Sequence, residues 1–141
     1  MLIDTNILVY AVNSSDPHHK ACASVVRRAF AGTLEAVVFP QVLREFYSVV
    51  TSARLSQKPL TPEAAITQVE DFQTAIELMH PNAKCHAEWL NISRQIQPNG
   101  ATTFDVSLIA QMKVHGIDHV CTVNATDFDF PGIFTVSPNT V

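Results

Sequence analysis

Cysteine, charged residues and long apolar runs are scarce in this sequence, and each scarcity excludes a class of protein. The three cysteines (Cys22, Cys85 and Cys121) are odd in number, lie far apart and form no C-x-x-C pair. They therefore argue against a disulfide framework or a zinc site. Charged residues make up 16% of the chain and hydrophobic residues 47%, which is typical of a globular chain and not of a disordered one. No apolar run approaches the length of a membrane span, so no membrane partner is expected.

Positive charge is also in short supply. The 141 residues include 9 Lys and Arg against 13 Asp and Glu, and the formal net charge of −4 provides no global field that attracts nucleic acid. Nucleic acid would have to be held by local basic residues, or by metal ions that reverse the sign of an acidic pocket. The apolar start is interrupted at Asp4 and has no basic flank, so it is not predicted to be a signal peptide. Together with the unpaired thiols, this predicts a cytoplasmic protein.

Hydrophobic patterning predicts strands that alternate with helices, an arrangement that produces βα units and a parallel sheet. Residues 55–100 show no convincing strand and are predicted to be a helical insertion or cap within one domain. The predicted strands cover 1–4, 34–39, 119–123 and 133–136, and the predicted helices cover 16–32, 40–53, 61–78, 83–96 and 102–116.

Asp4 follows a short apolar run, Met1 to Ile3, that is typical of a buried strand of a parallel sheet. Thr5 and Asn6 come next, and either is able to cap a following helix. Ligands of open α/β sheets bind at the carboxyl ends of the strands. Asp4 is therefore either a turn residue or the first member of a site.

Two further carboxylates lie beside or within apolar helix faces. Glu45 borders the apolar arc of its helix, where it either pairs with an arginine or solvent or points along the rim of the sheet. Asp105 shares a helix face with Leu108 and Met112, and a buried carboxylate without a partner costs several kcal/mol. Either Thr102 and Asp105 form a capping box, or Asp105 is a metal ligand.

The strand at 119–123 is followed by the polar stretch NATDFDFPG. Like Asp4, these side chains are expected at a carboxyl edge of the sheet. Asn124 and Asp127 have the spacing of another helix cap, and Asp129 is interpreted as a solvated turn residue.

Acids gathered at one sheet edge repel one another strongly unless cations lie among them. Hard divalent cations bind several oxygen ligands. The predicted cluster is therefore able to hold one or two Mg²⁺ or Mn²⁺ ions, activate a water and stabilise the leaving oxygen of a phosphodiester. Its members are Asp4, Glu45, Asp105 and Asp127.

Three stretches resemble the PIN domain family, and within it the VapC group of ribonuclease toxins from bacterial type II toxin–antitoxin systems. They are MLIDTNILVYA, VLREFYSVV and FDVSLIAQMKVHGIDHVCTVNATDFDFPGI, which together span nearly the whole chain in the family's order. The most specific pieces are D-T-N after an apolar strand, and a D-x-x-x-I-A helix followed by T-x-N-x-x-D-F.

This resemblance implies a three-layer α/β/α fold with a central parallel sheet and a small helical arm, as a single PIN domain over residues 1–141. It also implies RNA cleavage that depends on Mg²⁺ or Mn²⁺. Asp4, Glu45 and Asp105 match the family's acidic metal ligands. The family's fourth acidic position falls in TVNATDF, where this chain has Asn124 first and Asp127 before the phenylalanine. Asn124 supplies no charge, so the resemblance implies that Asp127 completes the second metal site. Whether one or two metals bind stays open.

Other positions receive expectations from the same resemblance. Asn6 and Thr122 match polar positions that line the family's pocket, although both are equally suited to capping. Arg44, next to Glu45, is a candidate RNA contact or an ordinary solvated charge. The family also implies a protein antitoxin as partner. Apolar residues of the 40–80 region form either a homodimer face or the monomer core; they are Phe46, Tyr47, Val50, Phe72 and Ile76.

Two other functions compete with this prediction. A phosphotransferase of the haloacid-dehalogenase type also begins with an aspartate after a first strand, but it requires a second aspartate two residues later, where this chain has Asn6. A PIN-like module that binds RNA or a protein without cutting remains an alternative. Metal-dependent turnover of RNA distinguishes it from a nuclease.

Overall fold

Five short parallel strands form one sheet in the computed structural model, which describes residues 1–56 and 58–141. The sheet order is β3-β2-β1-β4-β5, and every neighbouring pair is parallel. Because β1 is central, the carboxyl ends of β2 and β4 flank its own. The strands are β1 (Leu2–Ile3), β2 (Val37–Val38), β3 (Glu77–Leu78), β4 (His119–Cys121) and β5 (Phe134–Val136).

In the described part of the chain, six α-helices flank this sheet and complete the three-layer α/β/α arrangement that the family resemblance implies. Helix α1 packs against α2 and α3, helix α3 packs against α4, and helix α5 packs against α6. None of the helices in the described ranges combines the length and the hydropathy that a membrane crossing requires. The helices are α1 (Thr5–Val12), α2 (His19–Phe30), α3 (Pro40–Thr51), α4 (Pro62–Ala75), α5 (Ala83–Ile96) and α6 (Thr102–His115).

The core is built from the apolar faces of these elements. Phe46 of α3 and Phe72 of α4 meet edge to face, with ring centroids 5.1 Å apart. Both are buried, as are Val50 and Ile76, so these four side chains belong to the monomer core and not to a dimer face. The three cysteines are buried and free, as their spacing predicts.

The prediction that residues 55–100 contain no strand is wrong. Helix α4 ends at Ala75, Ile76 adopts an extended backbone, and Glu77 and Leu78 pair with Val37 and Val38 at the sheet edge. A strand of two residues is too short to show a period of two, and it follows the helix without a turn signal. Gln57, inside the predicted insertion, lies outside the described residues.

Three predictions about helix starts are also wrong. Asp4, and not Thr5 or Asn6, is the N-cap of α1. Helix α2 begins at His19, with His18 as its N-cap, and not at residue 16, because Asp16 lies in the preceding turn, where it accepts a hydrogen bond from the His18 amide. Helix α6 has its N-cap at Ala101, because the backbone is already helical there, and this excludes the capping box of Thr102 and Asp105.

Candidate active site

Asp4 lies at the carboxyl end of the central strand, where its buried carboxylate accepts three hydrogen bonds. Oδ1 accepts from the Thr5 amide at 2.6 Å, which caps α1. Oδ2 accepts from Asn6 Nδ2 at 2.7 Å and from Thr122 Oγ1 at 2.7 Å. Only 7% of the residue is exposed. The side chain is therefore both a helix cap and a fixed acidic group at the sheet edge.

Burial raises the pKa of Asp4 from 3.8 to about 6. The hydrogen bonds from Thr122 and the Thr5 amide oppose this rise, and the negative charges of Glu45 and Asp127 add to it. Two other acids of the predicted cluster, Glu45 and Asp127, therefore affect the pKa of Asp4.

The hydroxyl of Thr122 joins the two central strands at this edge. It donates to Asp4 and accepts from Asn6 Nδ2 and from the Asn124 amide, both at 3.0 Å. Asn6 Oδ1 in turn accepts from the Val123 amide at 3.2 Å. Both predicted pocket residues, Asn6 and Thr122, thus hold the loop after β4 against the start of α1.

Glu45 of α3 is half-buried and is held by donors on both carboxylate oxygens. Oε2 accepts from Thr5 Oγ1 at 2.9 Å, and Oε1 accepts from Gln41 Nε2 at 2.8 Å. Because Thr5 follows Asp4 directly, this pair of bonds fixes α3 next to the end of β1. The carboxylate therefore lies at the rim of the sheet, and these bonds go to Thr5 and Gln41 and not to an arginine.

Asp105 lies in the first turn of α6, where the helix dipole favours an anion. Partial burial and, in decreasing order, the charges of Asp127, Asp4 and Glu45 together raise its pKa from 3.8 to about 6. The charges of the other three acids thus act on the acid that was predicted from its apolar helix face.

Asp127 is exposed on a short 3₁₀ helix, Ala125–Phe128, in the loop after β4. Its charge acts on both Asp4 and Asp105. Asn124 is the N-cap of this short helix, but its side chain makes no capping bond. Asp129 is exposed, as interpreted from the sequence, and Arg44 is exposed on α3 beside Glu45.

The chemistry of this donor set fits a hard divalent cation, because all four groups are carboxylates and the charges of Glu45 and Asp127 raise the pKa values of both Asp4 and Asp105. A bound cation would relieve that repulsion. Within the described ranges, no three His, Cys, Asp or Glu side chains stand as a ready-made metal cage. Mg²⁺ commonly binds through one or two carboxylates and keeps several waters, so an open set of acids suits it.

Sequence reasoning missed Thr5 and Gln41, the two donors that hold Glu45. The signal for Gln41 was present, because it precedes Glu45 by four residues and such pairs face each other on a helix. Thr5 carries no such signal, since its contact with Glu45 spans 40 residues of sequence.

Comparison with known proteins agrees with this architecture. The PIN domain family matches residues 1–131. Ribonuclease VapC37 of Mycobacterium tuberculosis is 33% identical over 132 residues, covering 92% of this chain and 88% of that protein.

Solved structures show the same fold. VapBC2 from Rickettsia felis, bound to a DNA fragment from its promoter, superposes with a TM-score of 0.69 at 18% identity, covering 96% of each chain. VapC20 of Mycobacterium tuberculosis, described as a toxin that cleaves the sarcin–ricin loop, superposes with a TM-score of 0.61 at 17% identity, covering 84% of this chain and 85% of that one. With its family match, its parallel sheet and its acids at the sheet edge, this chain belongs to the PIN domain family.

Proposed function

We propose that this protein is an endoribonuclease that hydrolyses RNA phosphodiester bonds with Mg²⁺ or Mn²⁺, and that it is the toxin of a toxin–antitoxin pair. The observation that carries this proposal is geometric: hydrogen bonds through Thr5 and Gln41 hold Glu45 beside Asp4 at the end of β1 and beside the start of the helix that carries Asp105. The effect of the neighbouring charges on the pKa values of Asp4 and Asp105 supports it. A cluster of anions without a cation is unsuited to binding a polyanion, and a cluster that holds a divalent ion is well suited to it.

Asp4 and Asp105 are the proposed metal-holding groups, with Glu45 and Asp127 sharing that role. When bound, the metal supplies charge neutralisation at the phosphate and lowers the pKa of water. The chain's own contribution is orientation: Asn6 and Thr122 fix the Asp4 carboxylate, and Thr5 and Gln41 fix that of Glu45.

The proposed macromolecular partners are an RNA substrate and a protein antitoxin. VapBC2 of Rickettsia felis is a complex that binds promoter DNA, and VapC20 is described as cleaving the sarcin–ricin loop. The net charge of −4 favours a small structured RNA target over broad RNA binding, because nonspecific affinity depends on neutralised phosphates. A homodimer is also proposed, on a surface other than the buried Phe46 and Phe72.

The experiment compares wild type with Asp4→Asn and Asp105→Asn on a pool of small structured RNAs, with Mg²⁺, with Mn²⁺ and with EDTA. We expect cleavage only with a divalent ion, and a loss of at least about a hundredfold in each variant. Asp129→Asn is the matched control, because Asp129 is an exposed acid of the neighbouring turn. Circular dichroism checks that every variant is folded.

Cleavage by folded Asp105→Asn at the wild-type rate would overturn the assignment of the site. RNA binding without cleavage, unchanged by metal, would favour the noncatalytic binding module.

A further inference from the structure

We propose that Gln41 is a positioning residue of this site, which orients the Glu45 carboxylate with an amide group that is also bonded to the start of α6. This inference rests on the proposed function, because it concerns how the acids are held for a divalent ion.

One amide group of Gln41 reaches both acid-bearing helices. Its Nε2 donates to Glu45 Oε1 at 2.8 Å and to the backbone carbonyl of Phe104 at 2.9 Å. Phe104 directly precedes Asp105. The two protons of one NH₂ group are therefore donated to the carboxylate of Glu45 and to the backbone next to Asp105.

The orientation of this amide is determined by its neighbours. A flipped Gln41 would turn its oxygen toward a carboxylate and a carbonyl, which are both acceptors. On the other side, Gln41 Oε1 accepts from Gln111 Nε2 at 3.0 Å, and the same Nε2 donates to the Ser107 carbonyl at 3.0 Å. Gln111 is 5% exposed, so this partner is buried. The donor end of Gln41 consequently faces Glu45.

Glu45 is held by two donors, and each of them is also tied to another acid of the site: Thr5 directly follows Asp4, and Gln41 is bonded to the carbonyl of Phe104, next to Asp105. Thr5 Oγ1, from the residue after Asp4, binds Oε2 at 2.9 Å, and Gln41 binds Oε1. A carboxylate that accepts a hydrogen bond on each of its two oxygens has a restricted orientation. Of the two donors to Glu45, Gln41 is the one that is also bonded to α6.

A structural role for Gln41 has to be separated from this positioning role, because the bond to Gln111 also joins α3 to α6. Gln41→Met keeps the length and most of the volume of the side chain and removes its donors. Gln111→Met removes the bond to Gln41 Oε1 and leaves both Nε2 bonds of Gln41 in place. The pair therefore separates loss of the bond to Gln111 from loss of the two Nε2 bonds, and the Glu45→Gln background then separates the bond to Glu45 from the bond to Phe104.

The test is calorimetric titration of Mn²⁺ into wild type, Gln41→Met, Gln111→Met, Glu45→Gln and the double variant Gln41→Met/Glu45→Gln, with urea unfolding of each. Outer-shell partners of metal ligands typically change metal affinity 10–100-fold, so we expect Gln41→Met to weaken Mn²⁺ binding about tenfold. Gln111→Met should lower stability and keep its affinity within about twofold. In the Glu45→Gln background, Gln41→Met should change affinity less than about twofold, because its effect acts through Glu45.

Wild-type affinity in folded Gln41→Met would overturn the inference and leave the proposed function standing. An equal loss in Gln41→Met and Gln111→Met, or a full tenfold loss that persists in the Glu45→Gln background, would assign Gln41 a structural role only. Absence of Mn²⁺ binding to wild type would overturn the proposed metal site itself, and this inference with it.

Discussion

The hydroxyl group of Thr122 lowers the pKa of Asp4. Thr122 Oγ1 donates to Asp4 Oδ2 at 2.7 Å, and this bond lowers the pKa of a carboxylate that burial alone would raise further. A hydrogen bond to the charged form stabilises that form, so the threonine keeps more of Asp4 ionised at neutral pH.

Thr122→Val tests this bond with a nearly isosteric side chain. We expect the pKa of Asp4 to rise above about 6, because the largest opposing hydrogen bond is lost. An NMR titration of the Asp4 carboxyl carbon measures the change. Thr135→Val, at an exposed threonine of β5, is the control and should leave that pKa unchanged. A pKa for Asp4 that stays at or below its wild-type value in Thr122→Val would contradict this account.

The individual acids of the site could be predicted from sequence better than the residues that hold them. Asp4 and Asp105 stand out because each is a carboxylate in an apolar context, which is visible in one sequence. Gln41 and Thr5 are ordinary polar residues at a helix start, and their roles depend on contacts across 63 and 40 residues of sequence. Only the folded sheet brings those partners together.

At the scale of elements, helix ends show where local sequence rules apply and where they do not. Helix α5 runs from Ala83 to Ile96, as predicted, with Asn82 capping its first turn. Helix α6 ends at Gly116 in the left-handed conformation, also as predicted. The C-cap of α5, in contrast, is Gln97, whose φ of 48° lies in the left-handed region that is disfavoured for a residue with a side chain.

Gln97→Gly should therefore stabilise the protein. Glycine removes the strain of a left-handed residue at the price of some added unfolded-state entropy, and we expect a net gain of about 0.5–1 kcal/mol in the free energy of unfolding. Gln95→Gly, in the last turn of α5, is the control and should destabilise by about 1 kcal/mol. Urea denaturation measures both. A lower stability for Gln97→Gly would show that its side chain contributes a contact that outweighs the strain.

The strands β1 and β3 show which strands can be predicted from the sequence and which cannot. β1 was predicted because its apolar run is isolated at the start of the chain, but β3 was missed because two residues after a helix carry no periodic signal. The position of β3 in the sheet is fixed by hydrogen bonds to β2, and the next residue, Met79, donates its amide to the Val38 carbonyl at 2.9 Å. Tertiary pairing, and not local propensity, makes this segment a strand.

At the scale of the whole molecule, the parallel sheet gathers acids that are distant in sequence. Residues 4, 45, 105 and 127 come from four different segments, and three of them follow or flank the central strands β1, β2 and β4. Gathering like charges costs stability, which is a common feature of functional sites. The raised pKa values of Asp4 and Asp105 express the cost of burying these two acids, which is the larger part, and of placing them among like charges.

The pH dependence of folding measures this cost directly. The pKa of Asp105 is about 6 in the folded chain against an ordinary value of 3.8, so the folded state binds more protons between those values. Stability from this group is therefore highest below about pH 4 and falls as the pH rises through about 6. Other acids respond in the opposite sense, since the pKa of Glu88 is lowered by its hydrogen bond with Lys113. The comparison therefore has to be made between wild type and a variant of Asp105 alone.

Asp105→Asn should stabilise the whole molecule at neutral and alkaline pH. We expect a gain of about 1 kcal/mol at pH 8, less than the pKa shift alone implies because the side chain is partly exposed to solvent. The gain should vanish toward pH 4, where Asp105 of the wild type is protonated in the folded state. Urea unfolding between pH 4 and 8, without divalent ions, measures the difference, and Asp129→Asn serves as the matched control. A variant less stable than wild type at pH 8 would show that Asp105 makes favourable contacts that exceed its repulsion by the neighbouring acids.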